Sequence, residues 1–326
     1  MKIYIGTYLL WIFLGICLGF LLCLLYIKFS ESQFATKIVS QDRSYPHVRP
    51  LIVPWDSGLQ KTQELIPFRK SIENVIQDYK KNKKADEIAY YFRDLNNGPW
   101  FGVNEDTQFR VASLFKVPTL LSYYRWAEEN PDILNEEITY DGSTSNKIDL
   151  NPLTKSNEKL VKGKKYTIQD LLDRMIIHSD NEAFRMLIEH ADNGLIADPY
   201  NIIEMEINSA GDDFTATLGE FSPFFRTLYN ASYLNREYSE KALQLLIKSE
   251  YSRGIIAGVP NSTEVAHKFA IRELENGKKQ LHECGIVYHH KFPYTICIMT
   301  QGNDILTLTN ILKDLSKLTY DQVNAQ

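Results

Sequence analysis

From Ile3 to Ile27 the chain reads "IYIGTYLLWIFLGICLGFLLCLLYI", without one charged side chain. A stretch of that length can cross a bilayer, which takes roughly 20 apolar residues, and it outruns the apolar core of a cleaved leader. No small-x-small pattern follows, since the next residues are Lys28, Phe29, Ser30 and Glu31. Neither Cys17 nor Cys23 has a small residue before it, which argues against a lipoprotein signal. Residues 1–30 are therefore expected to form an N-terminal transmembrane helix with the membrane as partner. Lys2 and Lys28 balance, so flanking charge says little about orientation. With only Met1 and Lys2 ahead of the span, the body is expected to be exported, membrane-anchored and extracytoplasmic. Residues 31–61 carry Pro46, Pro50 and Pro54 with little periodicity and read as a spacer.

Residues 62–326 have a different texture. Leu65, Phe68, Ile72 and Ile76 recur at helical spacing and predict a helix from about 63 to 81. "IAYYFRDL", "NNGPW" and "WFGVNED" follow as strand, turn and strand. A mostly apolar helix, "VASLFKVPTLLSYYRWAEE", opens a largely helical stretch that runs to about Tyr251. "EVAHKFAIREL", "HECGIVY" and "YTICIMTQ" then read as strands, and "ILTLTNILKDLSKL" as a closing helix. This order predicts an α/β sandwich (about 62–112 and 255–326) interrupted by an all-helical insertion (about 113–254). The net charge of −5 gives no reason to expect a nucleic-acid partner. The basic run Lys80 to Lys84, broken by Asn82, suits the negative end of the first helix.

Two short patterns carry possible chemistry. Ser113-Leu114-Phe115-Lys116 puts a hydroxyl and an amine three apart, on one helix face. A desolvated lysine there can activate the serine as a nucleophile. Ser156-Asn157-Glu158-Lys159 repeats the spacing in a polar stretch, so spacing alone is weak; the first copy differs by its apolar setting. Ser179-Asp180-Asn181 stands between two apolar helices, where all three residue types can cap a helix.

Taken together, Ser-x-x-Lys, then Ser-Asp-Asn, then a lysine on a late strand resemble the class A β-lactamase and penicillin-binding-protein superfamily. The resemblance runs from about Thr62 to the C-terminus and implies a β-lactamase-like three-layer α/β/α fold. It implies Ser113 as nucleophile, Lys116 as its proton acceptor, Ser179 as proton relay to the leaving nitrogen, and Asn181 as a ligand of the substrate amide. Glu204-Met205-Glu206-Ile207-Asn208 resembles the family's Glu-x-x-Leu-Asn, where the glutamate and asparagine hold the water that hydrolyses the acyl-enzyme. The Lys-Thr-Gly strand is here Lys268-Phe269-Ala270, so Lys268 keeps the charge while Phe269 lacks the hydroxyl that meets a substrate carboxylate. Arg272 is a candidate replacement, and Phe269→Thr would be expected to improve carboxylate recognition. The main chain of Ile271, with that of Ser113, would supply the oxyanion hole. The loop before Glu204 is shorter than in the family and lacks its arginine.

The resemblance thus implies a monomeric hydrolase needing no cofactor or metal, acting on a β-lactam or peptidoglycan-like substrate. A D-Ala-D-Ala carboxypeptidase, or a penicillin-recognising module without turnover, are the alternatives. Cys284 and Cys297 lie on consecutive strands and read equally as a disulfide or as adjacent thiols. His178 and His267 read as local hydrogen-bonding groups, and His289-His290 as a solvated turn.

Overall fold

The computed structural model describes residues 45–49, 58–96, 98–143, 159–205 and 214–326, together with Trp11, Gly15 and Gly19. The expected transmembrane run otherwise lies outside the described residues, as do Ser156 and Asn208. Among the described residues, no helix is long and apolar enough to cross a membrane. The chain forms two compact units, Met1–Pro46 and His47–Gln326. The larger one therefore begins inside the stretch read as spacer. There Arg49 donates its backbone N–H to Tyr229 O at 2.7 Å. His47 is held between Glu240 (2.5 Å) and Glu264 (3.2 Å).

The body is organised by a five-stranded antiparallel sheet. Its strands are β1 (Glu87–Asp94), β2 (Trp100–Val103), β7 (Val265–Glu273), β8 (Lys279–Val287) and β9 (Tyr294–Gly302). They lie in the order β2-β1-β9-β8-β7, so β7 is an edge. β1, β8 and β9 are buried almost without alternation, which means both faces are covered. On one face lie the helix Gly58–Lys81 (α1), through Leu65, Phe68, Ile72 and Ile76, and the C-terminal helix Ile305–Asn324, through Leu308, Ile311, Leu312 and Leu315. Each set recurs at three- and four-residue steps, as one apolar helical stripe must. Asp304 caps the last helix by accepting from Thr307 N–H.

Cys284 and Cys297 face each other in the β8–β9 register and form a disulfide, which settles the alternative left open by spacing. His289 departs from its expectation: it is buried, stacks on Phe292, and takes the Phe292 N–H at Nδ1. A ring that organises a turn in this way is structural, unlike its exposed neighbour His290.

The intervening region packs on the other face. It includes α2 (Lys116–Glu129), α3 (Ile168–Ile177), α4 (Asn181–His190) and α5 (Asn193–Ile202). It is not all-helical, as expected, because it holds a ribbon of β4 (Glu137–Thr139) with β5 (Lys165–Thr167). A second small sheet pairs β3 (Phe109–Arg110) with β6 (Thr215–Ala216). Strands of two or three residues carry too little periodicity to be read from sequence.

Candidate active site

The stretch around Ser113 is not a simple helix start. Ala112–Phe115 form one 3-10 turn, and α2 begins at Lys116. Ala112 adopts a left-handed conformation (φ 48°), which suits glycine far better than a residue with a Cβ. Ser113 is half-buried, whereas Lys116 is only 1% exposed.

Ser179-Asp180-Asn181 divides its labour residue by residue. Asp180 is the helix cap: its side chain accepts from Glu182 N–H (2.8 Å) and Ala183 N–H (3.1 Å) at the start of α4. Ser179 and Asn181 instead face the lysines. Lys116 Nζ donates to Ser179 O (2.6 Å), Asn181 Oδ1 (2.7 Å) and Ser179 Oγ (3.2 Å). Lys268, wholly buried on edge strand β7, donates from Nζ to Ser179 Oγ (2.8 Å) and Phe269 O (3.2 Å). Ser179 is itself left-handed (φ 58°), at a cost of about 1–2 kcal/mol for a non-glycine residue. Its fixed place between two lysines from different elements offsets that cost.

Counting donors and acceptors shows what this arrangement can do. A hydroxyl has two lone pairs and one proton. Lys116 and Lys268 occupy both lone pairs of Ser179 Oγ, so its proton is directed away from them. Asn181 Oδ1 is likewise taken by Lys116, which leaves the Nδ2 donors for another partner. Two buried lysines around one hydroxyl would repel each other if both were protonated. Burial first, and Lys116 second, hold the Lys268 amine well below the usual lysine range. Glu283 opposes both effects.

The other expected site residues fall differently. Phe269 is 1% exposed and stacks on Tyr251, with ring centroids 4.2 Å apart and planes 20° from parallel. It belongs to the core and offers no surface to a ligand, so its expected place among the substrate-binding side chains is corrected. Ala270 is also buried. Ile271 and Arg272 are half-buried towards the open end of β7. Glu204 is exposed and left-handed (φ 56°) just past α5, and its side chain has no hydrogen-bond partner among the described residues.

His178 and His267, expected as local hydrogen-bonding groups, each lie beside a glutamate that sequence reasoning did not single out. His178 Nδ1 lies 3.1 Å from Glu250 Oε2, and Glu250 donates its backbone N–H to Ile177 O. On the sheet, His267 Nδ1 meets Glu283 Oε1 at 2.6 Å, with both side chains wholly buried. The one available signal was a glutamate inside the apolar run "HECGIV".

Comparison with known proteins bears directly on this geometry. The family model described as the β-lactamase enzyme family matches residues 67–323, which contain every element just described. The chain belongs to the β-lactamase enzyme family. It is a serine hydrolase resembling the class A enzymes. Solved structures share the fold at low identity. A mutant of PBP-A, in its acyl-enzyme complex with penicillin G, is 16% identical with a TM-score of 0.68, covering 84% of this chain and all of that one. A β-lactamase from Sphaerobacter thermophilus is 18% identical (TM-score 0.66; 78% and 97% covered). One from Chitinophaga pinensis is 15% identical (TM-score 0.68; 78% and 99%). A search of curated proteins found no match.

Within this β-lactamase family member, the buried Phe269 reverses the outcome expected for a threonine at that position. Emptying a stacked aromatic site costs about 3–5 kcal/mol. That is a large share of the roughly 5–15 kcal/mol by which domains are stable. Phe269→Thr is therefore expected to lower the denaturation midpoint sharply before any carboxylate contact is gained. Chemical unfolding of the variant measures this, and an unchanged midpoint would show that the Tyr251 stack is not structural.

Proposed function

We propose that the protein opens a β-lactam amide by acylation at Ser113 and then hydrolyses the ester. The observation that carries this reading is Ser179 Oγ held by Lys116 and Lys268, with its proton left free for a leaving nitrogen. Lys116, starting as the neutral amine, takes the Ser113 proton and becomes the ammonium as Oγ attacks the carbonyl carbon. The carbonyl oxygen, negative in the tetrahedral intermediate, is met by the main-chain N–H groups of Ser113 and Ile271. As the C–N bond breaks, Ser179 protonates the nitrogen and recovers a proton from its lysine partners. Asn181 Nδ2 orients the substrate side-chain amide. Because β7 is an edge strand, alternate main-chain groups point away from β8 and remain open to a ligand. Intact-mass spectrometry with a panel of β-lactams tests this. A persistent or transient adduct of one β-lactam mass supports it, and no adduct with any member overturns it.

Deacylation is assigned to Glu204, with Asn208 sharing the water. Glu204→Gln is expected to let the adduct form and then persist, slowing turnover about a hundredfold or more, as general-base loss does. Undiminished turnover, with no trapped adduct, would remove Glu204 from the mechanism. One observation favours a second reading, a penicillin-binding protein that acylates and stays acylated: the exposed Glu204 side chain has no fixing partner among the described residues. In that case the wild-type adduct already persists, and Glu204→Gln changes nothing.

A further inference from the structure

Lys268 stands on an edge strand with little of its own strand beside it. Its neighbours on the same face of β7 are Ala266 and Ala270, whose side chains end at Cβ. Among the described residues β8 is the only strand paired with β7, and the residue directly opposite Lys268 is Cys284. Directly opposed residues share a face, with Cβ atoms about 4.5–5.5 Å apart. Cys284 stands in turn opposite Cys297, and Cys297 opposite Tyr91 on β1. Lys268, Cys284, Cys297 and Tyr91 therefore form one cross-strand row, and none of them is more than 7% exposed. The neighbouring row, with Phe269, Ile298 and Tyr90, points to the opposite face and into the core.

The disulfide decides what the Cys284 side chain does in that row. Its bond to Cys297 commits Sγ towards β9, away from the lysine. A free thiol at 284 has other staggered rotamers, and one turned towards β7 meets the lysine stem. Two unbonded sulfurs also need van der Waals instead of covalent separation, and a close-packed row has no room to give. Its far end is closed by Tyr91, which stacks on Trp100. The diagonal neighbours on β8 are otherwise engaged. Ile286 stands opposite Ala266, while His282 meets Phe109 edge-on and accepts the Thr300 N–H at 3.3 Å. The turn that carries Ser113 packs on the same two strands, β7 and β8.

We propose that the Cys284–Cys297 disulfide is a positioning element for the reaction: by holding the Cys284 side chain off the Lys268 stem, it fixes the slot from which Lys268 Nζ reaches Ser179 Oγ. Nζ makes that bond at 2.8 Å and meets Phe269 O at 3.2 Å, which leaves it little slack. A misplacement of about 1 Å in such a site can cost on the order of 10²-fold in rate. A disulfide that only closed the β8–β9 hairpin would change stability and leave the rate per folded molecule alone. The inference rests on the proposed role of Lys268, so its test has one arm with substrate and one without.

Cys297→Ala keeps Cys284 in place as a free thiol, and Cys284→Ala with Cys297→Ala empties both positions. In the full chain, solubilised in detergent, either variant is expected to form the β-lactam adduct about tenfold more slowly per folded molecule. In a Lys268→Ala background the same changes are expected to leave the rate unaltered, because the effect passes through that side chain. A wild-type rate in folded Cys297→Ala overturns the inference, and so does an equal loss with and without Lys268. The arm without substrate is NMR of the chain labelled at lysine Cε, with the Lys268 signal assigned from its loss in Lys268→Met. In Cys297→Ala that signal is expected to move, and its titration midpoint to rise by about half a pH unit or more as the amine leaves its fully buried place. An unchanged signal and midpoint overturn the inference. An adduct that never forms in the wild type counts against the β-lactam reading instead, and the NMR arm then decides the inference alone. If one of the two cysteine variants does not fold, the other is read in its place.

Discussion

Ser113→Ala is expected to abolish the covalent adduct with every β-lactam, a loss of about 10⁴ or more in acylation rate, as removal of a nucleophile brings. The reason is local. Ser113 lies one 3-10 turn ahead of the buried Lys116, whose contacts reach both Ser179 and Asn181. Ser156→Ala should leave the adduct unchanged, since Ser156 shares only the spacing. Intact mass after exposure to a reactive β-lactam reads both variants at once. Equal labelling of Ser113→Ala and wild type would place the nucleophile elsewhere.

Lys268→Ala is expected to slow acylation by about 10²–10³, the usual effect of deleting a preorganised electrostatic contact in a closed site. The loss should be similar for all β-lactams, because Lys268 acts on Ser179 and on developing charge, not on a variable part of the substrate. The variant should also be less stable, since it leaves a cavity where a wholly buried side chain stood. A rate measured by adduct formation over time, per folded molecule, separates the two effects. A folded Lys268→Ala protein that acylates at the wild-type rate would exclude Lys268 from the chemistry.

Long elements with a single strong pattern were legible from sequence. The stripe Leu65, Phe68, Ile72, Ile76 gave the first helix, and the apolar runs near the C-terminus gave β7, β8 and β9. Of the residues marked by these motifs, Lys116, Ser179 and Lys268 are brought together by the fold. What stayed hidden depends on register. Nothing in "HKFAIRE" says that Phe269 faces Tyr251, because that requires knowing which side of β7 meets the core. The pairing of His267 with Glu283 is a cross-strand fact of the same kind. Ser179-Asp180-Asn181 admitted both a capping and a chemical reading: Asp180 is the cap, while Ser179 and Asn181 bond the buried lysines. Glu204 shows the converse: a motif match can lie in a loop whose geometry the motif does not fix.

The stack of Phe269 on Tyr251 has a consequence for how such a site can change over generations. Tyr251 adjoins Glu250, whose backbone is tied to Ile177 and whose carboxylate meets His178, the residue before Ser179. A threonine at 269 leaves an empty slot beside Tyr251, and enlarging or moving Tyr251 to refill it pulls on the segment that carries Ser179. No single replacement therefore leads from Lys-Phe-Ala to Lys-Thr-Gly through an intermediate of undiminished fitness. Selection for carboxylated drugs acting on this chain should settle at Arg272, three residues further along β7, before it reaches Phe269.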